Sequence, residues 1–243
     1  MPLFGKRQEE APPEVVADPP GCTRRSVLIN LDPVRLPGEL VLPADAEAVV
    51  VFAHGSGSSR RSPRNIEVAE RLHRDRLGTL LFDLLTEPEA EVREHVFDVE
   101  LLSHRLEAAV RWVWRWPGLG QRPVALFGAS TGAAAALITA SKVHEIAAVV
   151  SRGGRPDLAG EALERVTAPT LLIVGGQDAQ VLEMNRSAQG RIHGETRLEV
   201  VPGATHLFEE EGALERVADL AAGWFTTHVS GARGGRLSLS DVI

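Results

Sequence analysis

Apolar residues in this chain fall into short, nearly continuous runs, separated by stretches in which they recur every three or four positions. The runs at 24–30, 38–42, 47–53, 79–83, 123–127, 146–151, 169–174 and 197–201 predict β-strands. Several consist almost wholly of Val, Leu and Ile, as expected of strands covered on both faces in a parallel sheet. The first two read instead as a hairpin-like start, with Asp32-Pro33 and Pro37-Gly38 as turn signals. Helices are predicted over 63–76, 96–115, 131–142, about 157–165, 180–191 and 208–228. The first follows Ser62-Pro63, which puts proline at the first helical position. In 96–115, Val99, Leu102, Leu106, Val110 and Val113 form one apolar stripe, and Trp116-Pro117-Gly118 ends the pattern. Strand–helix alternation of this kind predicts an α/β fold: a mostly parallel central sheet with helices on both faces and no large lid.

The remaining patterning sets the boundaries. Residues 1–22 are rich in Pro, Glu and Ala and read as a mobile arm, and 230–243 read as a flexible Gly-, Ser- and Arg-rich tail. The folded domain is then 23–229. At 44% hydrophobic and 24% charged residues, the chain has the balance of an ordinary soluble domain. Its formal net charge of −7 argues against nucleic acid or an anionic membrane as a partner. No apolar run approaches the roughly 18 residues of a membrane span, and the start lacks the apolar core of a signal peptide. The single cysteine, Cys22, permits no internal disulfide. Together these features predict a cytoplasmic protein. Nothing in the composition sets the oligomeric state.

One segment carries chemistry outright. Residues 123–136 read PVALFGASTGAAAA: a strand runs directly into Gly128-Ala129-Ser130-Thr131-Gly132, and a helix of small residues follows. G-x-S-x-G between strand and helix is a nucleophile elbow, in which a tight turn exposes the serine hydroxyl and the glycines let strand and helix pass closely. A serine needs a base to take its proton. Of eight histidines, His206 lies after the last strand, in VVPGATHLFEE, where a loop reaches the edge to which Ser130 points. His73 and His104 fall inside predicted helices and are expected at a surface or an edge. Asp178, in TLLIVGGQDAQV, ends the preceding strand and completes the order Ser130, Asp178, His206. Its plainer role is a helix cap. Asp157 is the rival acid.

An acyl-transfer intermediate also needs N–H donors for its oxyanion. The backbone N–H of Thr131 is one candidate. The turn His54-Gly55-Ser56-Gly57-Ser58 supplies the other, with Ser56 preferred, Gly57 next to it against the substrate, and His54 in a structural hydrogen-bonding role. Arg60, Arg61, Arg152 and Arg155 follow strands at the same edge, and Arg152 is the candidate to steer an anionic substrate. Trp112, Trp114 and Trp116 cannot share one helix face, so they divide between core and surface. No phosphate-binding loop, zinc motif or Cys/His cluster is present, so no cofactor and no metal is expected.

The segments FGASTG, IVGGQDAQV and VPGATHLFE, supported by FAHGSGSS, together resemble the α/β-hydrolase superfamily, in its dienelactone-hydrolase-like branch, over roughly 24–228. The resemblance implies an α/β-hydrolase fold. Dienelactone hydrolases proper use cysteine where this chain has Ser130, so ordinary ester chemistry is expected instead of the dienelactone reaction. The expected activity is hydrolysis of small or medium carboxylic esters through an acyl-enzyme, with a small-molecule ester as the partner. A thioesterase or acyltransferase would use the same triad, and a non-catalytic interaction domain is the alternative of another class.

Overall fold

The computed structural model describes residues 21–120, 122–230 and 232. Most of the two terminal segments read as mobile lies outside the described residues, and Cys22 already opens the first strand. The strands are β1 (Cys22–Leu31), β2 (Val34–Pro43), β3 (Ala48–Ala53), β4 (Leu77–Phe82), β5 (Val124–Ala129), β6 (Ile146–Arg152), β7 (Thr170–Gly175) and β8 (Thr196–Val201). The α-helices are α1 (Pro63–Arg74), α2 (Glu87–Ala90), α3 (Arg93–Val96), α4 (Val99–Arg115), α5 (Thr131–Lys142), α6 (Ala179–Gln189) and α7 (Ala213–Val229), with a 3-10 segment at Pro156–Arg165.

All eight strands join one sheet in the order β1-β2-β4-β3-β5-β6-β7-β8. β1 and β2 are antiparallel additions, and β4 through β8 run parallel with β3. Every residue of β3 to β7 is buried, which is why those runs show no polar alternation. The edge strand β8 is partly exposed, with only Val201 fully buried. α1 and α7 cover one face through Val68, Leu72, Val217 and Phe225. α4 and α5 cover the other through Leu106, Val110, Leu137 and Ile138. The chain reverses direction across the sheet at β3: β4 lies on one side of it and β5 on the other. Such a switch point opens a crevice at the carboxyl ends of the strands.

Several boundaries differ from the periodicity, each for a local reason. Pro37-Gly38 is not a turn; both residues lie inside β2, opposite Leu28 and Val27. Pro37 remains useful there because its carbonyl accepts the Asp83 N–H at 3.0 Å. Gly38 is required by packing, since a Cβ at that position would lie 3.0 Å from Phe82 Cβ. Helix α4 starts at Val99 because the Asp98 carboxylate accepts the Leu101 N–H at 2.9 Å and caps it. Residues 208–212 stay outside α7, with Phe208 at φ 57° and Gly212 at φ 74°. Gly160, at φ 53°, breaks the segment at 156–165. The short helices α2 and α3 escape periodicity altogether. Their one sequence signal is the Thr86–Glu89 capping box, and Arg105 of α4 ties α2 down through Glu89 at 2.9 Å. His73 is not at a surface: it is buried, with Nε2 2.8 Å from Thr79 Oγ1. Trp114 enters the core, while the rings of Trp112 and Trp116 pack against each other at a tilt of 42° with centroids 4.7 Å apart. No described helix is long and apolar enough to cross a membrane.

Candidate active site

Each chemically marked loop leaves the carboxyl end of a neighbouring parallel strand. β3 leads into His54–Ser58, β5 into Ser130, β6 ends on Arg152, β7 leads to Asp178 and β8 to His206. Adjacency in the sheet therefore gathers residues that are far apart in sequence.

Ser130 sits at φ 50° and ψ −120°, a conformation that costs a non-glycine residue about 1–3 kcal/mol. Its backbone is held from three sides. The Ser130 N–H donates to Arg152 O, and the Ser130 carbonyl accepts from Ala133 and Arg155, all at 3.1 Å. The flanking glycines are set by close approach. A Cβ on Gly128 would lie 2.5 Å from Ala133 Cα, and one on Gly132 would lie 2.2 Å from Ala53 O. The N–H of Thr131, at the first position of α5, has no acceptor within its own helix.

Asp178 occupies the N-cap position of α6 but makes no side-chain cap bond. Its carboxylate instead accepts from His206 Nδ1, with Oδ2 at 2.7 Å. That bond places the Nδ1 proton toward Asp178 and leaves Nε2 as the ring's other nitrogen. The rival Asp157 is taken by Arg155 in a two-pronged pair at 2.9 and 2.7 Å. The His206 loop is pinned by the Thr205 N–H, which donates to Glu210 Oε2 at 3.0 Å. Hydrogen bonding from the Thr205 side chain first, and from its backbone second, holds that carboxyl below its ordinary range. Gly153, next in chain to the Arg152 that pairs with Ser130, is the contact point: a Cβ there would lie 3.5 Å from His206 Cε1. The imidazole is thus brought to the strand beside the serine. Gly153 gives no sequence signal beyond being a glycine after a strand.

In the loop after β3, Gly55 is the residue that meets Ser130; a Cβ on it would lie 3.1 Å from Ser130 Cβ. Ser56 and Gly57 are exposed at the tip of a turn closed by Ser58 N–H to Gly55 O at 3.2 Å, with Gly57 at φ 70°. The loop is braced twice against the end of β4. Arg60 pairs with Asp83, and so is not available to a ligand. His54 Nε2 accepts the Leu84 N–H at 3.0 Å, so Nδ1 carries the proton and donates to Gly55 O at 3.0 Å. Burial holds the His54 imidazole below its ordinary pKa.

That shift predicts a pH dependence. Unfolded His54 takes up a proton below about pH 6.5, whereas the folded ring resists it, so its contribution erodes stability as pH falls through that value. The Tm of the protein should drop between about pH 7 and 5, and His54→Gln should flatten the drop. Parallel Tm-against-pH curves for the two proteins would refute this.

Arg152 is buried at 8% exposure, and its Nη1 has no hydrogen-bond partner among the described residues. Burial, and secondarily the Arg64 guanidinium, push its pKa down to about 10. Next to the His206 loop, a groove of about 380 Å³ is lined by Arg64, Glu67, Phe208, Glu209, Glu210 and residues at the start of α7. No cluster of described residues is arranged to hold a metal ion.

An elbow serine at the switch point of a parallel sheet, with an Asp–His pair delivered by the two following strands, defines the architecture of the α/β-hydrolases. Residues 46–221 match the family model described as an alpha/beta hydrolase domain, and the chain belongs to that family. The crystal structure of a dienelactone hydrolase from Anabaena variabilis is 49% identical, covers 86% of this chain and 99% of its own, and superposes with a TM-score of 0.84. The fold is therefore dienelactone-hydrolase-like, and fold and family support a hydrolase. Est1E from Butyrivibrio proteoclasticus shares the fold at 15% identity over 84% of this chain and 99% of its own, with a TM-score of 0.72. Two curated Mycobacterium tuberculosis proteins, from strains CDC 1551 and H37Rv, bear the name "Putative phosphoribosyl transferase". Each is 53% identical over 219 residues, which are 90% of this chain and 49% of the relative. The chain thus spans about half the length of those relatives.

Proposed function

We propose that the chain is a serine hydrolase of small or medium carboxylic esters, with Ser130 as nucleophile, His206 as general base and Asp178 as the group that orients His206. The observation that carries this reading is the 2.7 Å His206–Asp178 bond, on a ring apposed to Gly153, next in chain to the Arg152 whose carbonyl accepts the N–H of the strained Ser130. In the reaction, Ser130 Oγ bonds to the acyl carbon as its proton passes to His206 Nε2. The oxyanion accepts from Thr131 N–H and from the loop at Gly55–Gly57, where Ser56 is the preferred second donor and Gly57 borders the substrate. The carbon–oxygen bond to the alcohol then breaks, and His206 returns the proton to the departing oxygen. Water repeats the sequence, with His206 again taking the proton, and releases the acid. No cofactor or metal enters these steps. A thiol as leaving group, or an alcohol in place of water, would give the thioesterase and acyltransferase forms of the same chemistry. Strain at Ser130 favours catalysis over a pure interaction role, because binding alone does not need it. The phosphoribosyl transferase name describes proteins twice as long; acyl chemistry is what we assign to the part represented by this chain.

Intact-mass labelling with a fluorophosphonate tests the nucleophile without knowledge of the substrate. One adduct is expected on the wild-type protein and none on Ser130→Ala, whose turnover of p-nitrophenyl butanoate should fall by about 10⁴-fold or more. A folded wild-type protein that takes no label, or a mutant that still does, would overturn the assignment.

A further inference from the structure

Arg152 closes β6, and its carbonyl accepts the Ser130 N–H, so its backbone is the immediate neighbour of the nucleophile. Strand alternation puts its side chain on the face of Val150, the face covered by α1 and α7. There the guanidinium forms neither an ion pair nor a hydrogen bond with any described residue, although the residue is only 8% exposed. Arg64, at the start of α1, is close enough to depress the Arg152 pKa. Arg64 Nε is buried and likewise unpartnered, and the carboxylate that ion-pairs with this arginine, Glu209, stands 3.7 Å from Nη1 on a side chain 65% exposed. The other inward-facing arginines are treated differently: Arg105 pairs with Glu89, and Arg60 pairs with Asp83.

A buried guanidinium without a carboxylate partner, opposed by the charge of a second guanidinium, is a destabilising arrangement, because an uncompensated buried charge loses hydration and gains nothing in return. An anion between them reverses that. A carboxylate neutralises one of the two charges; a phosphate-type dianion neutralises both and presents oxygens to both planar forks. Resting on the ester-hydrolase reading above, we infer that Arg152 and Arg64 form a subsite for a dianionic phosphate-type group carried by the ester substrate, on the α1/α7 side of Ser130. Glu67, Glu209, Glu210 and Glu215 line the outer groove with Arg64, so the dianion lies inward of them and displaces Glu209 from Arg64.

Three p-nitrophenyl esters of similar length isolate the charge: butanoate (neutral), hemisuccinate (one charge) and 3-phosphonopropanoate, a dianion at about pH 8.5. At fixed ionic strength, kcat/KM should favour the phosphonate over the butanoate roughly 10- to 100-fold, with the hemisuccinate between them. Arg152→Gln and Arg64→Gln should each collapse that ratio toward unity. Arg152→Met should also raise the Tm of the unliganded protein by roughly 2–4 °C, because it removes the uncompensated charge. Independently of turnover, inorganic phosphate should raise the Tm of Ser130→Ala more than chloride at equal ionic strength, and the added Arg152→Gln should abolish the difference. Equal use of the three esters, preference for the hemisuccinate, or a phosphate shift that survives loss of Arg152 would overturn the subsite. If fluorophosphonate labelling fails while the Arg152-dependent phosphate shift stands, the ester reading falls and the anion site remains.

Discussion

Asp178→Asn should lower kcat for ester hydrolysis by about 10³- to 10⁴-fold, and should slow fluorophosphonate labelling of Ser130 in parallel. The argument lies in the proton inventory of one ring. Asp178 only accepts, so His206 must carry its proton on Nδ1, which leaves Nε2 unprotonated and able to take the proton of Ser130 Oγ. An asparagine that turns its amide nitrogen toward Nδ1 stabilises the opposite tautomer, with the proton on Nε2, and the base is lost. The side chains of His206 and Asp178 are 38% and 17% exposed, so the pair adds little to stability and the Tm of the mutant should stay close to wild type. The two readouts separate mechanism from folding. Labelling within about tenfold of wild type would mean that His206 is not held in this tautomer by Asp178.

Gly132→Ala should be the most damaging single-methyl change in the site. The added carbon would lie 2.2 Å from Ala53 O and 2.5 Å from His54 O, and both oxygens belong to the backbone at the end of a central strand. No side chain can rotate away to make room. Either α5 moves off the sheet or β3 moves with its loop, at about 3 kcal/mol. That corresponds to a loss of roughly 6–12 °C in Tm. Either movement also shifts Ser130 relative to Gly55, and about an ångström of misplacement is enough to cost 10²-fold in rate. A Tm within about 2 °C of wild type would show that strand and helix are not packed as closely as described.

The loops that matter are braced to different degrees. The loop after β3 is fixed by His54 to Leu84 and by Arg60 to Asp83, the rigidity that the proposed oxyanion donors would need. The His206 loop is held by Thr205 to Glu210 and by the buried ring of Phe208. Among the described residues Arg152 has no counter-charge at all, and Arg64 has only Glu209, 3.7 Å away on a largely exposed side chain. This contrast within one site is the reason to treat the two arginines as binding groups and not as packing.

Strong local patterns were legible in the chain. Continuous Val, Leu and Ile runs marked β3 to β7 because a strand buried on both faces has no polar positions to alternate. FGASTG marked the elbow because only that order of small residues lets a strand turn directly into a helix. Asp178 and His206 could be proposed because each follows a strand at the carboxyl edge. Patterns shorter than a helical repeat were not legible: α2 and α3 are four residues each. Pro37-Gly38 misled as a turn because its signal came from packing against Phe82, a residue 44 positions away from Gly38. His73 looked like a surface residue because its partner Thr79 belongs to the next strand.

By itself, then, the sequence determined the layered α/β architecture, the elbow and the order Ser130, Asp178, His206, since these follow from periodicity and from chemistry carried within single short segments. Only the tertiary structure decided that Asp178 serves His206 while Asp157 serves Arg155, that Gly55 and Gly153 are the residues apposed to Ser130 and the imidazole, and that Arg152 is buried without an ion pair among the described residues. Those outcomes depend on which strands become neighbours and on which faces their side chains leave, and neither is encoded within a local stretch of chain.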